Sequence, residues 1–168
     1  TEIYTLSLHD ALPICFLAFA AFCLASSSVY VLNDVKDIED DRAHPVKRNR
    51  PLASGAVTVP QALVFLAALL GGACVLAASL PLSFLVILGA YLVINAAYSF
   101  KLKHVAIVDL CSIAVGFVLR VFAGGAATGV APSHWIVIMT FLLALFLGLA
   151  KRRDDLILSG NEIGRAHV

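Results

Sequence analysis

Hydrophobic residues in this chain come in five long runs, broken at intervals by short polar or charged segments. Residues 15–32, 59–80, 82–98, 105–125 and 135–150 are each close to the roughly 20 apolar residues that a helix needs to cross a bilayer. The first is slightly short, as though its head were clipped. The second opens with Thr58 and Pro60, and a proline is tolerated in a first helical turn. Pro81 forces a turn before the third. Residues 126–133, rich in small side chains and holding Pro132, read as a loop before the fifth.

Composition agrees with this pattern: 61% of the residues are hydrophobic, only 14% are charged, and the mean hydropathy is +0.95. These values describe a bilayer protein rather than a soluble globule. Cys15, Cys23, Cys74 and Cys111 all fall inside apolar runs without ligand spacing, so they read as small buried hydrophobes. There is no basic tail or aromatic-interleaved basic patch, and nucleic acid is not an expected partner. Both ends differ in character from the middle. Residues 1–14 and 162–168 can each be read as translated sequencing-adapter DNA, which makes residues 15–161 the expected membrane domain, a fragment open at both ends.

The charges change the picture most, because all but two of those in residues 15–161 fall in three clusters, at 34–50, 101–103 and 151–155. Five successive crossings place all three at one side of the membrane, and the surplus of Lys and Arg predicts that this side is cytoplasmic. The exceptions, Asp109 and Arg120, lie inside the fourth run, where an ionisable side chain is expensive. Asp109 is about one turn from the charged side, close enough to line a site there. Arg120 is expected either to face the interior or to snorkel to the far interface.

The densest cluster reads NDVKDIEDDRAHPVKRNRPLASG over residues 33–55. Asn33, Asp37 and Asp41 recur every four residues, so a helix continuing from the first run would stack them on one face, with Asp34 at its edge. Stacked carboxylates repel unless a cation neutralises them. An oxygen-only donor set suits Mg²⁺, which takes one or two carboxylates and completes its shell with water and phosphate oxygens. Lys47, Arg48 and Arg50 follow, and can neutralise phosphate. Two plainer accounts compete: a solvated acidic helix end, and basic residues placed by topology alone. The second explains the side on which the charges lie but not the acidic run among them. His44 before Pro45 reads as a base, a phosphate donor or a loop residue; His104 and His134 read as interfacial.

The NDxxDxxxD pattern of Asn33–Asp41 resembles the first aspartate-rich motif of the UbiA superfamily of intramembrane prenyltransferases. Together with YSFKLKH at 98–104, LRVFAGG at 119–125 and AKRRDDL at 150–156, it is similar to the decaprenyl-phosphate phosphoribosyltransferase branch. The resemblance implies an all-α polytopic bundle of about nine membrane helices around a central cavity, five of them present here. It carries Mg²⁺ ligation onto Asn33, Asp37 and Asp41, with Asp34 as helper, and phosphate or substrate binding onto Lys47, Arg50, Tyr98, Lys103, Lys151 and Arg152. The spaced second aspartate motif of aromatic prenyltransferases is replaced by KRRDDL, leaving Asp155 only a candidate ligand.

The implied reaction moves 5-phosphoribose from phosphoribosyl diphosphate to a polyprenyl phosphate in the bacterial inner membrane, with the active face cytoplasmic. Prenyl transfer from a polyprenyl diphosphate to an aromatic acceptor is the rival chemistry. A noncatalytic subunit with a cytosolic docking loop is the rival of another class.

Overall fold

In the computed structural model, residues 8–100 and 106–165 are described, with side chains described over 11–99 and 108–153. Among them there is helix and turn but no strand. The elements are α1 (Leu8–Lys36), α2 (Ile38–Ala43), a 3₁₀ turn at Lys47–Asn49, α3 (Val59–Ala77), α4 (Leu82–Phe100), α5 (Ala106–Thr128) and α6 (His134–Arg165). Five helices are long and apolar enough to cross a membrane. The five runs in the sequence therefore correspond to α1, α3, α4, α5 and α6. The first is longer than its apolar stretch, since α1 carries Asn33 and Asp34 within its last turn.

Local chemistry sets the helix ends. The Gln61 side chain accepts from the Thr58 backbone N–H at 3.0 Å, half of a capping box, with Pro60 in the first turn of α3. Ser79 to Pro81 then turn the chain directly into α4. At the end of α5, Gly129 adopts φ +73° and the Val130 N–H reaches the Gly125 carbonyl at 3.1 Å, a Schellman closure. A Cβ on Gly125 would lie 2.6 Å from the Val130 carbonyl oxygen and 2.7 Å from Pro132, so this turn requires glycine there as well.

The core lies between α1, α3, α4 and α5. Small residues let the backbones approach: Ala18, Ala21 and Ala25 of α1 and Ala73 and Ala77 of α3 are all buried. In a bilayer, where lipid tails are as apolar as leucine, such close packing is what drives helices together. Phe22 stands at the centre, edge-on to Phe84 at 6.5 Å and tilted over Tyr91 at 4.7 Å. Along the spanning helices many large apolar side chains remain exposed, among them Val64 and Phe65 of α3 and Leu143 and Phe146 of α6. A lipid-facing surface has this character.

Candidate active site

The acidic motif sits where α1 ends. The helix does not run unbroken through it: Asp37 forms a turn with φ −97° and ψ 12°, and α2 restarts at Ile38. The i to i−4 backbone bonds nevertheless persist, from Asp37 N–H to Asn33 at 2.9 Å and from Asp41 N–H to Asp37 at 2.7 Å. The four-residue spacing thus survives a local kink, while the stacking of one straight helix does not.

Arg50 comes back across the loop and donates from one nitrogen to both Asp34 Oδ1 at 3.0 Å and Asp41 Oδ2 at 2.9 Å. Asp41 is only 4% exposed, and its pairing offsets the cost of burying a carboxylate. Arg50, which the sequence offers for neutralising phosphate, is paired in the structure with two motif carboxylates through one of its nitrogens. Arg42 pins α2 to the loop through the Ala53 carbonyl at 3.1 Å. The His44 Nδ1 accepts the N–H groups of Val46 at 3.2 Å and Lys47 at 3.4 Å, which makes His44 the residue that shapes this loop. Lys47, Arg48 and Lys151 are exposed.

Two adjacent residues of α4 bring the motif and the Asp109–Arg152 ion pair to the same helix end. Ser99 donates its hydroxyl to the Asn33 side-chain oxygen, and Lys36 donates to the Ser99 carbonyl at 3.2 Å. Next to it, the Tyr98 hydroxyl donates to Asp109 Oδ1 at 2.7 Å, while Arg152 of α6 holds Asp109 Oδ2 at 2.6 Å. Asp109 therefore joins α4, α5 and α6 rather than standing alone in a helix. These contacts bring the charged ends of α1, α4, α5 and α6 together at one end of the molecule. Lys103, His104 and the side chain of Asp155 lie outside the described residues. Ser99 was missed from the sequence, since a serine at the end of an apolar run carries no signal until its neighbour across the bundle is known.

Arg120 does not snorkel to the far interface. Its guanidinium donates to the Tyr91 hydroxyl at 3.0 Å and lies 5.2 Å from the centre of that ring, 4.9 Å from Phe117 and 5.9 Å from Phe22. The Tyr91 hydroxyl in turn donates to Ser26 at 3.2 Å. These groups stand beside a cavity of about 510 Å³ whose wall includes Cys15, Phe19, Phe22, Ser27 and Phe84. The aromatic rings offset part of the cost of the charge, which is why it can stay inside.

For a metal, the donors at the charged end are all oxygens: Asn33, Asp34, Asp37 and Asp41. Among the described residues, no three His, Cys, Asp or Glu side chains are gathered closely enough to hold an ion by themselves. A hard ion that binds through one or two carboxylates and fills its shell with water and phosphate fits such a set; a fully protein-caged ion does not.

The comparisons agree with this architecture. The family model described as the UbiA prenyltransferase family matches residues 4–159. The chain is 38% identical over 143 residues to the decaprenyl-phosphate phosphoribosyltransferase of Mycolicibacterium smegmatis, covering 85% of this chain and 45% of that protein. It is 39% identical over 145 residues to the enzyme of the same name from Mycobacterium tuberculosis H37Rv, covering 85% and 47%. The chain thus spans about half the length of these curated relatives. A solved UbiA homologue from Archaeoglobus fulgidus, bound to DMAPP and Mg²⁺, superposes with a TM-score of 0.71 at 23% identity, over 84% of this chain and 50% of that one. With the family model spanning nearly all of its length and the same helical fold in a solved homologue, this chain belongs to the UbiA prenyltransferase family.

Proposed function

We propose that the complete protein is an Mg²⁺-dependent membrane transferase that moves 5-phosphoribose from phosphoribosyl diphosphate to a polyprenyl phosphate, working at the cytoplasmic face of a bacterial inner membrane. The main support is the identity of 38–39% to phosphoribosyltransferases of that name over 143 and 145 residues, a length that must include the acidic motif and Arg50.

Asn33, Asp37 and Asp41 would hold the ion, with Asp34 beside them. Bound there, Mg²⁺ supplies positive charge to the diphosphate oxygens. Arg50 fixes the direction of Asp34 and Asp41. The exposed Lys47, Arg48 and Lys151 supply mobile positive charge for the phosphates of the donor. Arg152, anchored on Asp109 and thereby aligned with Tyr98, is a directed donor at the same end. In the reaction, the bond from the anomeric carbon to the diphosphate oxygen breaks, and its electron pair leaves with diphosphate. An oxygen of the acceptor phosphate forms the new bond to that carbon. The acceptor is already anionic, so no strong base is required. Catalysis consists of orientation and charge stabilisation.

The test is to give purified full-length protein phosphoribosyl diphosphate with a polyprenyl phosphate and, separately, a polyprenyl diphosphate with an aromatic acceptor. Release of diphosphate with formation of a polyprenyl phosphoribosyl product, abolished by a chelator and restored by Mg²⁺, is expected. Prenylation of the aromatic acceptor with the phosphoribosyl donor untouched would replace this function with the rival chemistry.

A further inference from the structure

Arg120 lies eleven residues beyond Asp109 on α5, about 16 Å deeper at 1.5 Å per residue. Its hydrogen-bonded neighbour Tyr91 leads to Ser26, which precedes Asn33 by seven residues, about 10 Å along α1. The guanidinium therefore stands within the membrane-spanning part of the bundle, well below the acidic motif. Among the described residues it makes no ion pair; a hydroxyl and three ring faces are its surroundings. Ring faces offset charge but accept few hydrogen bonds. A guanidinium has five N–H groups. The cavity beside it is otherwise apolar except for Ser26 and Ser27. A permanent cation with spare donors, at the wall of an apolar cavity inside a bilayer protein, is complementary to an amphiphile with an anionic head and a hydrocarbon tail.

We propose that Arg120 anchors the phosphate of a polyprenyl monophosphate, whose first isoprene units occupy the cavity between Phe19, Phe22 and Phe84. Tyr91 and Ser26 hold the guanidinium in place, and Ser27 adds a neutral donor. Two anion sites at different depths result: a metal-and-arginine site at the charged end for the donor diphosphate, and a metal-free site below it for the acceptor phosphate. The anomeric carbon is then presented between them. This assignment rests on the proposed reaction only for the identity of the second ligand.

Cys15 and Cys23 line the cavity and report its occupancy, while Cys74 on α3 does not line it and serves as control. Full-length protein in detergent is labelled with N-ethylmaleimide, and each cysteine is read by peptide mass spectrometry. Farnesyl phosphate should slow labelling of Cys15 and Cys23 but not Cys74. Farnesol should require about 10- to 100-fold higher concentration for the same protection, as expected for loss of hydrogen bonds to a charged group. Arg120→Gln should erase the difference between phosphate and alcohol, and Arg120→Lys should restore part of it. Phosphoribosyl diphosphate should not displace farnesyl phosphate.

Equal protection by phosphate and alcohol in the unsubstituted protein overturns the proposal without recourse to any variant. So does an undiminished phosphate preference in Arg120→Gln, which would assign Arg120 to a carboxylate of the longer protein, or competition by phosphoribosyl diphosphate, which would put both heads at the charged end. If phosphoribosyl diphosphate neither binds nor reacts while farnesyl phosphate protects through Arg120, the proposed reaction fails and the lipid phosphate site stands.

Discussion

Arg50 and Arg120 solve opposite problems with the same side chain. Arg50 stands at the water edge, 43% exposed, and bridges two carboxylates of the acidic motif. Arg120 stands inside the apolar bundle, where it meets a hydroxyl and three aromatic rings and no carboxylate among the described residues. At the edge, solvent screens the pair with Asp34, whereas the pair with Asp41 also offsets the burial of that carboxylate. In the interior the same charge is poorly screened, and what surrounds it decides what it can bind. One arginine is spent on organising the protein's own carboxylates; the other keeps its donors for something else.

Four perturbations sharpen this contrast at the charged end, in order of expected effect. Replacing Asp37 and Asp41 together with alanine should lower turnover by about 100- to 1000-fold or more, the scale on which a preorganised charge site is lost. Measured transfer in membranes checks it, and survival of activity would favour the docking-loop reading, in which loss of Arg48 and Arg50 does more harm. Next, Arg50→Ala frees Asp34 and buried Asp41 to repel one another, and turnover should fall about 10- to 100-fold, an effect comparable to losing charge-assisted bonds. Arg50→Lys should recover part of that loss by supplying the point charge, and kcat measured at saturating donor separates it from weaker binding.

A smaller effect is expected for Asp109→Asn, which turns the strong contact with Arg152 into a neutral one and leaves Tyr98 an acceptor. Because Arg152 is 37% exposed, water compensates it, and the loss of stability should be about 1–2 kcal/mol. Thermal unfolding in detergent reads it, with a rise in donor KM if Arg152 is misdirected. The smallest change is environmental. Raising ionic strength should increase donor KM a few-fold, since Lys47, Arg48 and Lys151 act through solvent, yet leave lipid-phosphate protection at Arg120 nearly constant.

Several features were legible in the order of residues because their physics is local or additive. Apolar length gave the five spanning helices, and alternation of crossings gathered the charges at one end. The four-residue repeat of Asn33, Asp37 and Asp41 survived as backbone hydrogen bonds even though α1 breaks at Asp37. The loop role of His44 was one of the readings its place before Pro45 allowed, and its contacts reach only two and three residues ahead.

What stayed hidden was every contact that needs two helices at once. Ser99 meets Asn33 across 66 positions, and Arg152 meets Asp109 across 43. No local spacing encodes such partners. Periodicity says which side of a helix a residue occupies but not which neighbour that side faces. The direction of Arg120 shows the difference plainly. The sequence by itself determined that a charge lay within the fourth span and that exposure to lipid would be costly. Only the tertiary structure turned it inward, because Phe22 of α1 and Tyr91 of α4 pack there and offer ring faces and a hydroxyl.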